Sequence, residues 1–272
     1  MRVVVITRTS GVATDLVTMM PGIGHSVVGV ICPPTSTLEA FRSALEDQTP
    51  LVAIQHRRDL NAALASFGPD VAICLGCPWR IPLETISSIP FGILNIHPSQ
   101  LPKYRGPFPE AHAILNGESE IGLTIHRMNE RFDAGPILAQ STMPLDESLW
   151  FDDVLARLRS LFLRLVPLAL ERVARDERGD EQAESAATYA GPLGDELHSI
   201  DPMWPARYAH RVTLAWRFVR DATYPHWDID GQRFHIKRTS LRPTPGALRV
   251  ECSDGPIWLV EMAELPGLTN GG

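Results

Sequence analysis

Asn95, His97 and Asp133 are the residues of this chain whose types and spacing could carry chemistry. Asn95 follows the apolar run Phe91-Gly92-Ile93-Leu94, and His97 lies two residues further on. Along an extended backbone their side chains therefore point the same way. Asp133 comes 36 residues after His97 (133 − 97), between the runs Gly122–His126 and Pro136–Ala139. A neutral donor, a titratable donor and an acid that can orient it are the parts needed to stabilise an oxyanion and move a proton. Such a set suits acyl transfer between a carbonyl donor and an amine, where one fixed donor to the oxyanion contributes about 2.7–4 kcal/mol.

The elements that must position these groups read as α/β. Val3–Ile6, Ser26–Ile31, Leu51–Ile54, Val71–Leu75 and Gly92–Ile96 are short apolar runs expected as buried strands. Thr14–Met20, Leu38–Asp47 and Leu60–Phe67 lie between them with helical spacing, Ser10 and Thr14 being read as caps of the first helix. Alternation of this kind implies a doubly wound, mostly parallel, Rossmann-like sheet, whose ligands sit outside the carboxyl ends of the strands. Cys77–Pro82 and Asn95–His97 both follow strand ends and so share that side. A helix is expected over 107–117 and a long amphipathic one over 148–175. The polar stretch 175–185 that follows separates a catalytic domain, 1–180, from a small C-terminal domain, 188–272. The latter reads as a helix over Pro205–Asp221 and two hairpins, turning at Asp230-Gly231 and Asp254-Gly255.

The stretch from Asn95 to Gln140 resembles the folate-dependent formyltransferases. The matching residues are Asn95-Ile-His97-Pro-Ser99, Leu101-Pro102, Tyr104-Arg105-Gly106-Pro107, Pro109, Ala113, Gly117-Glu118, Gly122-Leu-Thr124-Ile-His126-Arg-Met128 and Phe132-Asp133-Ala-Gly135-Pro136-Ile137. They are ordered and correctly spaced, and a weaker likeness runs from Met1 to about Leu241. The resemblance implies N10-formyltetrahydrofolate as co-substrate, no metal, and Asn95, His97 and Asp133 as the catalytic trio. It places the pterin ring against the loop Cys77-Pro-Trp79-Arg80-Ile81-Pro82, with Asn129 to Asp133 as the facing wall. Arg105, Gly106 and Pro107, with Tyr224 and Trp227 from the cluster after Arg220-Asp-Ala-Thr, are its candidate acceptor-binding residues. The same likeness suggests an OB-like barrel, or a truncated one, for the C-terminal domain. His126, on an apolar strand, reads as a core histidine, and His112 as facing either core or cleft.

Composition narrows the acceptor. The chain of 272 residues carries a net charge of −7, and Lys103 and Lys237 are its only lysines among 25 basic residues. Residues 188–272 hold 9 Arg+Lys against 10 Asp+Glu, whereas a tRNA-gripping surface should be basic. The segment Thr7–Thr14 lacks the Gly-rich phosphate loop of glycinamide ribonucleotide transformylase. A small amine remains, with a nucleotide-linked amino sugar first and a hydroxyornithine-like or other natural-product amine second. Methionyl-tRNA is the alternative macromolecular acceptor, and a non-catalytic folate-binding protein the non-enzyme reading. No nucleic-acid or membrane partner is expected, and a homodimer is compatible with the pattern. Cys74-Leu-Gly-Cys77 has redox spacing, but it ends an apolar strand with no second pair to complete a metal site. With a short apolar N-terminal run, no cleavage motif and no long apolar stretch, a reduced cytoplasmic protein is expected.

Overall fold

A computed structural model describes residues 1–33, 38–45, 49–219 and 224–265. In chain order its elements are β1 (Arg2–Thr7), α1 (Ser10–Met19), β2 (Ser26–Cys32), α2 (Leu38–Ala44), β3 (Leu51–Ala53), α3 (Leu60–Phe67), β4 (Val71–Leu75), α4 (Leu83–Ser87), β5 (Ile93–His97), α5 (Pro109–Leu115), β6 (Glu120–Arg127), β7 (Ile137–Pro144), α6 (Phe151–Ala174), α7 (Ala206–Trp216), β8 (His226–Ile229), β9 (Gln232–Ser240), β10 (Leu248–Cys252) and β11 (Gly255–Glu264). The expected helices over 38–47 and 205–221 run in part outside the described residues.

Seven strands form one sheet in the order β3-β2-β1-β4-β5-β6-β7. β1 to β5 are parallel, and β6 runs antiparallel to β5 with Asn95 opposite His126 and His97 opposite Thr124. The parallel strands are apolar without alternation because helices cover both faces. Val3, Val4, Val5 and Ile6 of β1 are all buried, as are Val71 to Cys74 of β4. β1 lies between β2 and β4, so the connections on its two sides diverge at the carboxyl ends of β1 and β4. That reversal of strand order opens the crevice in which such sheets hold ligands.

Two expectations for the first helix are revised. Thr9, with extended φ −120°, occupies the N-cap position, and no side chain caps the helix. Ser10 is its first residue, and Thr14 Oγ1 donates inside the structure to the carbonyls of Ser10 and Ala44.

Contacts divide the chain into two compact units. The first comprises 1–106, 122–142 and 158–188, the second 107–121, 143–157 and 189–272. The second unit is therefore drawn from three stretches, and the last change of unit, between Thr188 and Tyr189, falls beside the polar stretch. It contains a four-stranded antiparallel sheet, β10-β11-β9-β8, a half-barrel in which Trp227, Ile236, Ile257 and Leu259 form an apolar core with Ile200, Ala206 and Ala209. The β8–β9 turn places Asp230 at φ 50° and Gly231 at φ 80°, the two left-handed positions a tight hairpin turn requires. In the same unit His112 Nε2 donates to the Gly191 carbonyl at 2.8 Å.

His210 on α7 is buried in this unit. Its Nε2 donates to the Glu147 carbonyl at 3.1 Å, so Nδ1 accepts from the Thr239 hydroxyl at 2.8 Å. Burial pushes the imidazole down to about 4, against the smaller upward pull of Glu147. The unfolded chain takes up a proton near the ordinary value of 6.5 while the folded one does not. Stability is then fully present above that value and is lost as pH falls towards 4, by about 3 kcal/mol across the window. Melting at pH 7 and pH 4.5 should show this loss, and His210→Gln should reduce it. An unchanged pH dependence in the variant would remove His210 as its cause.

Candidate active site

β5 delivers Asn95 and His97 to the carboxyl edge of the sheet, β6 delivers His126 opposite Asn95, and the loop before β7 brings Asp133 to all three. Asn95, His97 and His126 are all buried. Asp133 holds φ at 50°, a left-handed conformation uncommon outside glycine and tolerated by Asp and Asn. Its loop is pinned from three sides. A Cβ at Gly135 would come within 1.8 Å of the Arg127 carbonyl oxygen, so only glycine lets the loop lie this close to β6. Gly106 N–H donates to Asp133 Oδ2 at 2.8 Å. The Gln182 carboxamide donates to the carbonyls of Asp133 and Gly135, each at 2.8 Å.

The cluster is connected through specific atoms. Asn95 Nδ2 donates to Asp133 Oδ1 at 3.1 Å and faces His126 Nε2 at 3.2 Å. His126 Nδ1 donates to the Arg127 carbonyl at 2.9 Å, which leaves Nε2 to accept from Asn95. Both carboxamide N–H groups are thus directed inward. His97 Nε2 donates to the Tyr104 carbonyl at 2.8 Å, and Tyr104 presents that carbonyl from a left-handed φ of 60°. A carbonyl only accepts, so Nε2 keeps its proton and His97 titrates at Nδ1. His97 Nδ1 lies 3.6 Å from Asp133 Oδ1, beyond hydrogen-bond reach, and His126 Nε2 lies 3.7 Å from the same oxygen.

Burial and charge set the protonation of the cluster. Burial pushes His97 below its ordinary value, and Asp133 and the Tyr104 carbonyl, which act the other way, do not offset it. His97 is therefore neutral near pH 7, with a bare Nδ1, and is not the imidazolium that a neighbouring carboxylate alone would favour. Burial also raises the Asp133 carboxyl, but the donors around it, the Gly106 N–H among them, outweigh it and hold the group down at about 2. The cluster thus presents a fixed carboxylate beside a neutral imidazole.

The expected folate walls come together in part. Trp79, Arg80 and Ile81 line a cavity with Asn95, His126, Met128, Asn129, Arg131, Phe132 and Asp133. Its volume is only about 40 Å³, room for about one water, because the Arg80 guanidinium reaches across to the Glu130 carbonyl. Trp79 and Met128 supply apolar walls, and Cys77 packs with them, its thiol donating to the Trp79 carbonyl at 3.6 Å. Pro82 stands outside this lining, as the N-cap of α4. Cys74 and Cys77 are free thiols. The apolar walls and main-chain edges suit a flat heteroaromatic ring once Arg80 swings away. Arg80→Ala removes that latch, and folate association is expected to quicken about fivefold, as for loss of an exposed charge-assisted bond of about 1 kcal/mol. Stopped-flow fluorescence with a folate analogue would show it, and slower association would assign the Arg80 side chain to folate binding instead.

The acceptor-binding expectations fare differently. Gly106 is in the cluster through its N–H. Arg105 is not free for a ligand: Nε and Nη2 donate to Gln182 Oε1 at 3.1 and 2.9 Å, and Nη1 pairs with Glu184 at 3.0 Å. Arg105 therefore holds Gln182, which in turn holds the Asp133 loop. Pro107 is exposed and begins the first stretch of the second unit. Trp227 is buried in the C-terminal core and offers no stacking face. The Tyr224 ring is already taken, with Arg217 at 5.2 Å and Lys237 at 5.8 Å from its centroid and its hydroxyl accepting from Arg217. Arg220 to Thr223, the start of that motif, lie outside the described residues. Sequence reasoning did not single out Gln182, which sits in a charged stretch without periodicity. It placed His126 in the core, where burial supports it, and not beside Asn95.

A doubly wound sheet with an Asn–His–Asp cluster at its carboxyl edge defines an acyl-transferase domain. Residues 1–170 match the formyl transferase family, and the chain belongs to that family of folate-dependent enzymes. The methionyl-tRNA formyltransferase of Chloroflexus aggregans is 33% identical over 233 residues, 81% of this chain and 74% of its own. That of Thermotoga neapolitana is 35% identical over 211 residues, 73% and 67% of the two chains. Among solved structures, a variant of HypX from Aquifex aeolicus has a TM-score of 0.74 at 20% identity over 96% of this chain, which spans 45% of the HypX chain. WlaRD, a sugar 3N-formyl transferase solved in the presence of dTDP and 5-N-formyl-THF, has a TM-score of 0.70 at 18% identity, covering 98% and 99%. These structural likenesses establish the fold. Among the described residues, no helix is long and apolar enough to cross a membrane.

Proposed function

We propose that the protein transfers a formyl group from N10-formyltetrahydrofolate to the primary amine of a small molecule, first a nucleotide-linked amino sugar. The observation that carries the reading is the cluster of Asn95, His97 and Asp133 joined at one carboxyl edge of the sheet. The folate would lie against Trp79–Ile81 and Asn129–Asp133 and supply the formyl carbon. Asn95 exchanges one of its two inward hydrogen bonds for the developing oxyanion, a pairing that strengthens in the transition state. His97, neutral with a bare Nδ1, accepts the proton from the attacking nitrogen and gives it to N10 of the departing tetrahydrofolate as the bond between N10 and the formyl carbon breaks. Asp133 stays ionised throughout and stabilises the imidazolium that forms.

The small-amine assignment rests on charge. A net charge of −7 and a C-terminal region with no basic excess lack the cationic surface that makes tRNA binding tight and salt-sensitive. The second reading, formylation of methionyl-tRNA, is favoured by the names of the sequence relatives. Filter binding of initiator methionyl-tRNA at low and moderate salt separates the two. Weak binding at both is expected. Tight binding that falls steeply with salt, with formylation of the methionine, would overturn the small-amine reading and establish the second.

A further inference from the structure

A cavity of about 790 Å³ lies wholly inside the second unit, between α7, the β9 end and the segment 146–150. That is the size of a cavity for a nucleotide or a comparable metabolite. Its rim carries three arginines, Arg207, Arg238 and Arg242, and three acids, Asp146, Glu147 and Asp254. The formal charges balance, but the hydrogen-bonding capacity does not.

Each acid already serves the fold. Glu147 pairs with Arg211 at 2.8 Å and with Arg207 at 3.4 Å. Asp254 accepts from the first N–H of α7, Ala206, at 2.7 Å, and Asp146 accepts from Ser148 N–H at 2.6 Å. The Thr239 hydroxyl donates to His210, and those of Ser240 and Thr244 to the Arg242 carbonyl. His210 is neutral and bonded at both nitrogens. By contrast, the guanidinium groups of Arg238 and Arg242 have no acceptor among the described residues. Arg238 rests 5.8 Å above the Trp150 ring, which steadies its planar fork over the cavity. Among the described residues, ten N–H donors on two cations (five on each guanidinium) thus face one cavity without an acceptor, Arg242 lying within electrostatic reach of Asp146 but not bonded to it. Phosphate, with several acceptor oxygens on one centre, matches two such forks better than a single carboxylate does.

We propose that this cavity binds a phosphate-bearing small molecule, with Arg238 and Arg242 as the phosphate ligands. The site is formed by residues of the second unit alone and is independent of the formyl-transfer cluster. Calorimetric titration of the intact protein with inorganic pyrophosphate, uridine diphosphate and, as a dicarboxylate control, glutarate tests it. Saturable binding of one of the phosphates is expected, weakened at least about tenfold by Arg238→Gln combined with Arg242→Gln. Tighter binding of uridine diphosphate would mark a nucleotide as the source of the phosphate, and equal binding would mark phosphate alone. Both arginines are exposed, so a melting temperature close to wild type should accompany the loss, and each single variant should lose part of the affinity. Asn95→Ala should bind the phosphates as wild type does, which keeps this site distinct from any acceptor bound at the formyl-transfer cluster. Absence of saturable phosphate binding, binding unaffected by the double variant, or glutarate binding as tight as pyrophosphate would each overturn the assignment.

Discussion

Asp133→Asn should lower formyl transfer about a thousandfold or more while the chain still folds. The substitution is isosteric, and Asn tolerates the φ of 50° that this position holds, so the loop keeps its course. What changes is the charge that stabilises an imidazolium at His97, together with acceptor oxygens that serve Gly106 N–H and Asn95. His97 is oriented by the Tyr104 carbonyl and Asp133 acts on it by charge, so the loss falls short of the roughly 10⁴ seen where the acid also fixes the tautomer of the base. An amide NH₂ turned towards Gly106 or Asn95 leaves a donor facing a donor, so a modest loss of stability should accompany the rate effect. Single-turnover kinetics beside thermal melting would measure both. A variant within tenfold of wild type would show that the Asp133 charge does not enter the chemistry.

Asn95→Ala and His97→Ala should each cost about a hundredfold or more, the scale of a lost oxyanion donor or a lost general base. The two losses have different origins. Asn95 is a side-chain donor to Asp133, and alanine there also leaves His126 Nε2 without its partner. His97 is the group that takes the proton at Nδ1, so its variant should respond to added imidazole, whereas the Asn95 variant should not. The neutral form of His97 also has a signature. An NMR titration should place its midpoint below 6.5, as burial requires. A midpoint above 6.5 would return the imidazolium to the mechanism. Near-normal rates in either alanine variant would remove that residue from the chemistry.

The parallel strands were legible because a strand buried on both faces leaves an uninterrupted apolar run, as in Val71–Leu75, and the structure starts and ends β4 at those residues. The hairpins were legible because Asp-Gly turns require left-handed backbone that few residues adopt. Asn95 and His97 followed from a period-2 argument along one strand. Other features depend on contacts distant in sequence. Gln182 donates to a carbonyl 49 residues away, and nothing in the charged stretch around it distinguishes one amide from its neighbours. Arg105 read as a ligand-binding residue through its place in the family-like stretch Tyr104–Pro107; here Gln182 and Glu184, far along the chain, take its donors. Trp227 shared its segment with other aromatics, but strand register turned it into the core. The direction of His97's shift required knowing how deeply it is buried, which a neighbouring Asp in the sequence cannot give.

The most direct test follows a ¹³C-labelled formyl group. Wild-type protein, N10-[¹³C]formyltetrahydrofolate and a nucleotide-linked amino sugar are mixed in a single turnover, and the product is read by NMR, with methionyl-tRNA as the competing acceptor. The label is expected on the sugar nitrogen, with none reaching the tRNA and none transferred by Asp133→Asn on the same timescale. Label on the methionine of the tRNA, or transfer undiminished in the Asp133 variant, would contradict formyl transfer to a small amine at the Asn95–His97–Asp133 cluster.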